Sequence, residues 1–222
     1  MSTTTAEKIL ENFPHPHIQP IVGQPTYESI AEMHLKLNAN AASVHTNLGN
    51  GKLGFLYLTV EPSVYNSLST VVFVPPVNPG SDPIIPTNAT GPQIAELRRK
   101  HKEKHDEFQK YINTDKAVKS QLISAVDEAY IRAKRNKHVG YANVTTLDLL
   151  KHLYKCYARI TRSALKENDK NMNEPYDVNQ PFEVLIDQIE NAIDFAAAGD
   201  APYSAKQIVN TAYNLVFDTG LF

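Results

Sequence analysis

An all-α, multi-helix bundle, with at most a small β element near residues 52–74, is what three features of the sequence predict. Five or six segments repeat apolar residues at three-and-four spacing. Several of them open on a hydroxyl residue placed to cap a helix. Against these stand only two short runs of strand character. With 42% hydrophobic residues over 222 positions, the chain can build a real core, as one large domain or two small ones.

Residues 1–24 carry Pro14, Pro16 and Pro20 among polar neighbours and read as an extended arm that docks Phe13, Ile18 and Ile21. The His15-Pro16-His17 triplet has no third ligand nearby and reads as polar loop rather than metal site. A first helix runs over 27–43, entered through Pro25 and capped by Thr26, with Tyr27, Ile30, Ala31, His34 and Leu37 on one stripe. After Gly49-Asn50-Gly51, residues 52–60 read as a strand or a buried helical turn, and 70–74 as a second strand, with a short helical turn over 62–69 between them. Six prolines between 75 and 92 exclude regular structure and mark a linker or a surface arm.

Residues 93–113 return to helical spacing through Ile94, Leu97, His101, His105, Phe108 and Ile112, and 115–136 form the next helix through Ala117, Leu122, Ile123, Val126, Tyr130 and Ile131. Lys134 to Lys137 then puts positive charge at that helix's dipole-negative end. The clearest signal follows at 144–160, where Leu147, Leu150, Leu153, Tyr154, Tyr157 and Ile160 recur on one face. Thr145 caps it, Asp148 holds the capping-box position, and Val144 is placed to staple against Leu149. A short polar helix over 162–172 and a break at 173–181 lead to a helix carrying Phe182, Leu185, Ile186, Ile189, Ile193 and Ala196, closed by Gly199 as a left-handed cap. The final helix opens on a Ser204/Gln207 capping box, with Tyr203 set to staple to Ile208, and carries Ile208, Val209, Ala212, Tyr213 and Val216. The domain reading is therefore an arm over 1–24, a helical lobe over 25–160 containing the linker 75–92, and the start of a second helical lobe over 161–222. The apolar end Leu221-Phe222 is read as continuing into a longer polypeptide.

Composition narrows the chemistry. No apolar run reaches the roughly 18 residues of a membrane helix, and Glu7 interrupts any signal-peptide core, so the expected location is cytoplasmic, with no membrane partner. A net charge of −2 gives no global pull toward nucleic acid. Cys156 stands alone and reads as a buried core thiol. His101 and His105 are four apart but lack an HExxH base, so no metal site is expected. Asp218-Thr219-Gly220 matches the aspartic-protease triplet, yet it ends a helix instead of occupying a loop between strands. No nucleophile elbow, phosphate loop or dinucleotide fingerprint occurs. The reading is of no enzyme, no cofactor and no small-molecule substrate. The segment Arg98, Arg99, Lys100, Lys102 and Lys104 is the candidate nucleic-acid contact, although Glu96, Glu103, Asp106 and Glu107 interleave it and favour a solvated face.

From Phe108 onward the order of elements resembles the Gag region of copia-type LTR retrotransposons. The resemblance is carried by EFQKYINTDKAVKSQLISAV, by the T-x-x-LLxxLY pattern from Thr146 to Tyr154, and by PFEVLIDQIENAIDFAAAGDAPYSAKQIVNTAYNLVF. It covers about half the chain; the family's tryptophan positions are unmet, because the chain has no Trp. The resemblance implies a capsid-like structural protein that self-assembles into oligomers or virus-like particles through helical faces. A zinc knuckle cannot be built from one cysteine, so RNA contact through such an element falls outside this chain. The expected assembly residues are Phe182, Ile186, Ile189, Ile193 and Tyr213. Two other classes compete: a monomeric helical adaptor of domesticated Gag descent, and an RNA-binding module using Arg98 to Lys104.

Overall fold

The computed structural model describes residues 5–220, and among these the chain is a multi-helix, all-α protein without a named strand. It divides into two compact units, Met1–Ala158 and Arg159–Phe222.

In the first unit, helix α1 spans Ala6–Glu11, α2 Tyr27–Ser43, α3 Pro62–Leu68, α4 Gly91–Ala125, α5 Glu128–Ile131 and α6 Thr146–Tyr157. Its main core joins Ile30, Met33 and Leu37 of α2 to Val118 and Leu122 of α4 and to Leu149, Leu150 and Leu153 of α6. Thr145 caps α6 as expected, accepting the Asp148 amide at 3.1 Å while the Asp148 carboxylate takes the Thr145 hydroxyl proton at 2.7 Å. Thr26 caps α2 in the same way, with Ser29 completing the box.

Residues 1–24 are not wholly an extended arm. Residues Ala6–Glu11 form α1, which packs on α4 and buries Ile9, with Phe13 buried just beyond its end. Thr5 caps this turn, and apolar burial holds a segment too short to be helical alone. The rest of the arm is fixed from below: buried Asn40 accepts the His15 amide and donates to the His15 carbonyl, both at 2.8 Å. Gln121 donates to the carbonyls of His15 at 2.8 Å and Pro16 at 3.0 Å.

The β expectation within 52–74 is overturned, and the helical-turn alternative holds. Residues Leu48–Asn50 and Leu56–Leu58 are 3₁₀ turns, and 70–74 pairs with nothing as a strand. Gly54 explains why. It sits at φ +50°, and a Cβ there would come within 2.1 Å of the Ala42 carbonyl oxygen. The chain thus presses against the end of α2, where the Phe55 amide donates to the Ala41 carbonyl at 2.9 Å. From there Phe55, Leu56, Leu58 and Val60 are all buried, so the run is apolar on every side. Phe55, Tyr57, Tyr65, Phe73 and Tyr111 pack as an aromatic cluster; the Tyr57 and Phe73 rings stack at 4.8 Å.

The two helices expected over 93–113 and 115–136 are one continuous helix, α4, and the second part ends early. Thr114 turns its hydroxyl back to the Lys110 carbonyl at 2.8 Å, and Asp115 serves α6, accepting the Thr146 amide at 3.3 Å and its hydroxyl at 2.8 Å. Both side chains make these bonds from within a helix that continues unbroken through them. The helix stops where Val126 turns extended and the Ala125 carbonyl accepts the Ile21 amide at 2.8 Å. Asp127 then caps α5.

The second unit comprises α7, Arg162–Met172, α8, Phe182–Ala198, and α9, Ala205–Phe217. Met172, Leu185, Ile189, Ala192 and Leu215 form its core, with Tyr203, Ile208, Ala212 and Val216 packed around them. The Ser204/Gln207 capping box is present. Gly199 is not a left-handed cap: its φ is −89°, and Asp200 takes the positive φ of +55°. Glycine is required there for space, since a Cβ would lie 2.8 Å from the Leu165 side chain and 3.0 Å from that of Ile160.

Candidate interaction surfaces

On α8 the inward face is Leu185, Ile189, Ala192 and Ala196, one helical ridge at three-and-four spacing. Phe182 and Ile186, four apart, stand on another face and remain 54% and 42% exposed. The expected assembly set is therefore split. Phe182, Ile186 and Tyr213 are surface residues, whereas Ile189 is buried and Ile193 packs against the core of the same unit. A charge at Ile189 acts on folding and not on a contact surface.

Helix α9 divides in the same way. Ile208, Ala212, Leu215 and Val216 turn inward, while Val209, Tyr213 and Phe217 follow one another at four-residue steps with 65%, 65% and 57% of their surface open. The Tyr213 and Phe217 rings stack at 5.8 Å, which makes the stripe a continuous aromatic ledge. Val209 and Phe217 were not among the expected contact residues. The available signal was the 209/213/217 register beside the 208/212/215 register, two apolar stripes on one helix when only one fits a core.

The basic segment lies on the solvated first half of α4. Arg99 is held by Glu96 at 2.8 Å and by Glu103, and Lys100 reaches Glu96 at 3.4 Å. Glu96 is correspondingly lowered to about 2, first by its hydrogen bond from Arg99. Arg98, Lys102 and Lys104 are exposed, with Glu103 between the two lysines and Asp106 and Glu107 following them. Arg99 and Lys100 are thus paired along their own helix, whereas Arg98, Lys102 and Lys104 have no ion pair among the described residues.

His101 lines a cleft of about 750 Å³ between α4 and the proline-rich segment 74–84, and His105 is not among the residues lining it. Among the described residues, no group of three or more His, Cys, Asp or Glu side chains is placed to hold a metal ion. Nor is any helix among them long and apolar enough to cross a membrane. Asp218-Thr219-Gly220 follows directly on α9, with Asp218 as its C-cap and Gly220 at φ +67°. The apolar pair Leu221-Phe222 lies outside the described residues.

Cys156 is exposed, not buried. The core-facing place one turn beyond Leu153 is taken by Tyr157, whose ring meets Tyr130 edge-on at 5.2 Å. The thiol instead donates to His152 Nδ1 at 3.6 Å, and His152 Nε2–H donates to the Tyr130 carbonyl at 3.0 Å.

Comparison with known protein families, with curated proteins and with solved structures gave no match.

Proposed function

We propose that this chain is a capsid-like structural protein of the Gag type that assembles with copies of itself in the cytoplasm, without enzymatic activity. One observation carries the reading. The second unit is small, yet it leaves the Val209–Tyr213–Phe217 ledge and the Phe182/Ile186 face open to water. Contiguous apolar side chains at that exposure mark contact surfaces in soluble proteins. A second copy supplies matching apolar area, and repeated copies joined by two different contacts build a shell or lattice. The resemblance of the 108–217 region to copia-type Gag supports the same reading.

Sedimentation velocity across a concentration series, with negative-stain microscopy of the same samples, tests it. The expected result is concentration-dependent growth into oligomers or particles. Tyr213→Glu combined with Phe217→Glu should abolish this while circular dichroism stays unchanged. A chain that remains monomeric to high micromolar concentration overturns the reading in favour of a monomeric adaptor.

A further inference from the structure

Residues 71–74 read Val-Val-Phe-Val, a run of strong strand formers in a chain without a named strand among its described residues. Phe73 is 2% exposed and packs among Phe55, Tyr57, Tyr65 and Tyr111, whereas Val72 and Val74 on either side of it are 64% and 66% exposed. Out, in, out is the alternation of an extended strand with one face on a core. Here the outward face is apolar as well.

The backbone of this segment is unpaired. Among the described residues, the amides and carbonyls of Val72, Phe73 and Val74 make no hydrogen bond. Just before them the Ser69 hydroxyl engages both groups of Val71, accepting its amide at 3.2 Å and donating to its carbonyl at 2.8 Å. Just after them Pro75 and Pro76 have no amide to offer. The open edge is therefore bounded to residues 72–74. In a strand the N–H and C=O groups of alternate residues point to the same side, so Val72 and Val74 present theirs together. Exposed edges are normally guarded by charge, yet residues 62–81 contain no charged side chain.

We propose that Val72–Val74 is a strand edge whose occupant is the same edge of a second copy, paired antiparallel about a two-fold axis. With Phe73 opposite its counterpart, Val72 of each copy faces Val74 of the other, and each such pair exchanges both of its hydrogen bonds. This register satisfies every group that Val72 and Val74 carry, in both copies, and calls on no proline amide. The outward valines then lie side by side across the axis and cover one another. A longer foreign strand finds no further donor at Pro75 or Pro76 and occupied groups at Val71. An uncharged edge meets itself without repulsion and offers a charged peptide nothing to pair with. The inference rests on the proposed self-assembly, to which it adds the second, different contact that a lattice needs beside the α9 ledge. So short a ladder does not offset the cost of bringing two chains together, and it forms between pairs that the ledge has already joined.

Amide exchange read by mass spectrometry across a concentration series, with sedimentation velocity on the same samples, tests the inference. Amides in the segment 70–76 should exchange about tenfold more slowly as particles form. Val74→Pro removes one edge amide at an exposed position and should stop growth at the closed pair, with circular dichroism unchanged. Val74→Thr keeps the amide and the strand propensity and should assemble as the unaltered chain does. An excess of a peptide of residues 69–76 should reduce particles to pairs. If Val74→Pro builds the same particles, or if assembly does not slow exchange in 70–76, the inference is overturned and the assembly reading stands. Equal loss in Val74→Pro and Val74→Thr overturns it too, since a side-chain contact then replaces the ladder. An alternating Val-Thr peptide of unrelated sequence that breaks particles as well as 69–76 does makes the occupant any strand, and overturns the choice of a second copy. A chain that stays monomeric to high micromolar concentration overturns both readings together.

Discussion

Asn40 and Gln121 join their side-chain amides at 2.8 Å, 81 positions apart in sequence, inside the first unit. Together they hold the backbone of His15 and Pro16, so two buried amides fix where the N-terminal arm lies. Asn40→Leu removes the acceptor of the His15 amide and one of the two donors to the His15 carbonyl, and strands the Gln121 carbonyl oxygen. The expected cost is about 2–4 kcal/mol in urea unfolding, with faster amide exchange in the arm than in the rest of the unit.

His34 gives the first unit a pH dependence. Its Nε2–H donates to the Thr59 carbonyl at 2.9 Å, which leaves Nδ1 to accept the Tyr154 hydroxyl at 3.1 Å. Burial, the larger influence, holds its pKa below the ordinary imidazole value, against the raising effect of the Thr59 bond. The unfolded chain therefore binds a proton at a pH where the folded one does not, and stability present above about pH 6.5 is lost as pH falls toward the folded value. Urea midpoints measured from pH 7.5 to 5 should show this decline, and His34→Gln should flatten it.

Gly54→Ala tests the close approach that rules out the strand. The new methyl group meets the backbone of Ala42 and Val44, not the end of a flexible side chain, and the residue already has φ +50°. A loss of about 3 kcal/mol or more is expected in thermal or urea unfolding. Ala at Gly80, which has open space around it, should cost little beyond the strain of its own positive φ.

Ile186 and Ile189 separate folding from association. Ile189→Asp places a carboxylate in the core of the second unit and should cost about 3–5 kcal/mol, seen as a lost transition or a lower melting temperature. Ile186→Asp, on the exposed face, should leave the circular dichroism spectrum intact and lower the sedimentation coefficient of any oligomer.

Cys156 should react with a disulfide reagent such as DTNB in the folded chain, giving one thiol per chain without denaturant, because the residue is exposed and its sulfur makes a single long contact, with His152, among the described residues. A thiol titrated only after unfolding would contradict the placement.

Local chemistry alone determined the all-α class and most helix starts, because capping and three-and-four periodicity act within a few residues. Thr26, Thr145 and Ser204 cap as their neighbours dictate. What the tertiary structure decided lies where a local signal is claimed by a distant partner. Asp115 lies within α4 and accepts bonds from Thr146 at the start of α6, Gly54 is pinned against α2, and Tyr157 displaces Cys156 from the core. The division of α8 and α9 into inward and outward apolar stripes is likewise tertiary. Periodicity shows that a stripe exists, but which of two stripes is buried depends on the helix that meets it, and for α9 the core takes Ile208, Ala212 and Leu215 and leaves Val209, Tyr213 and Phe217 in water.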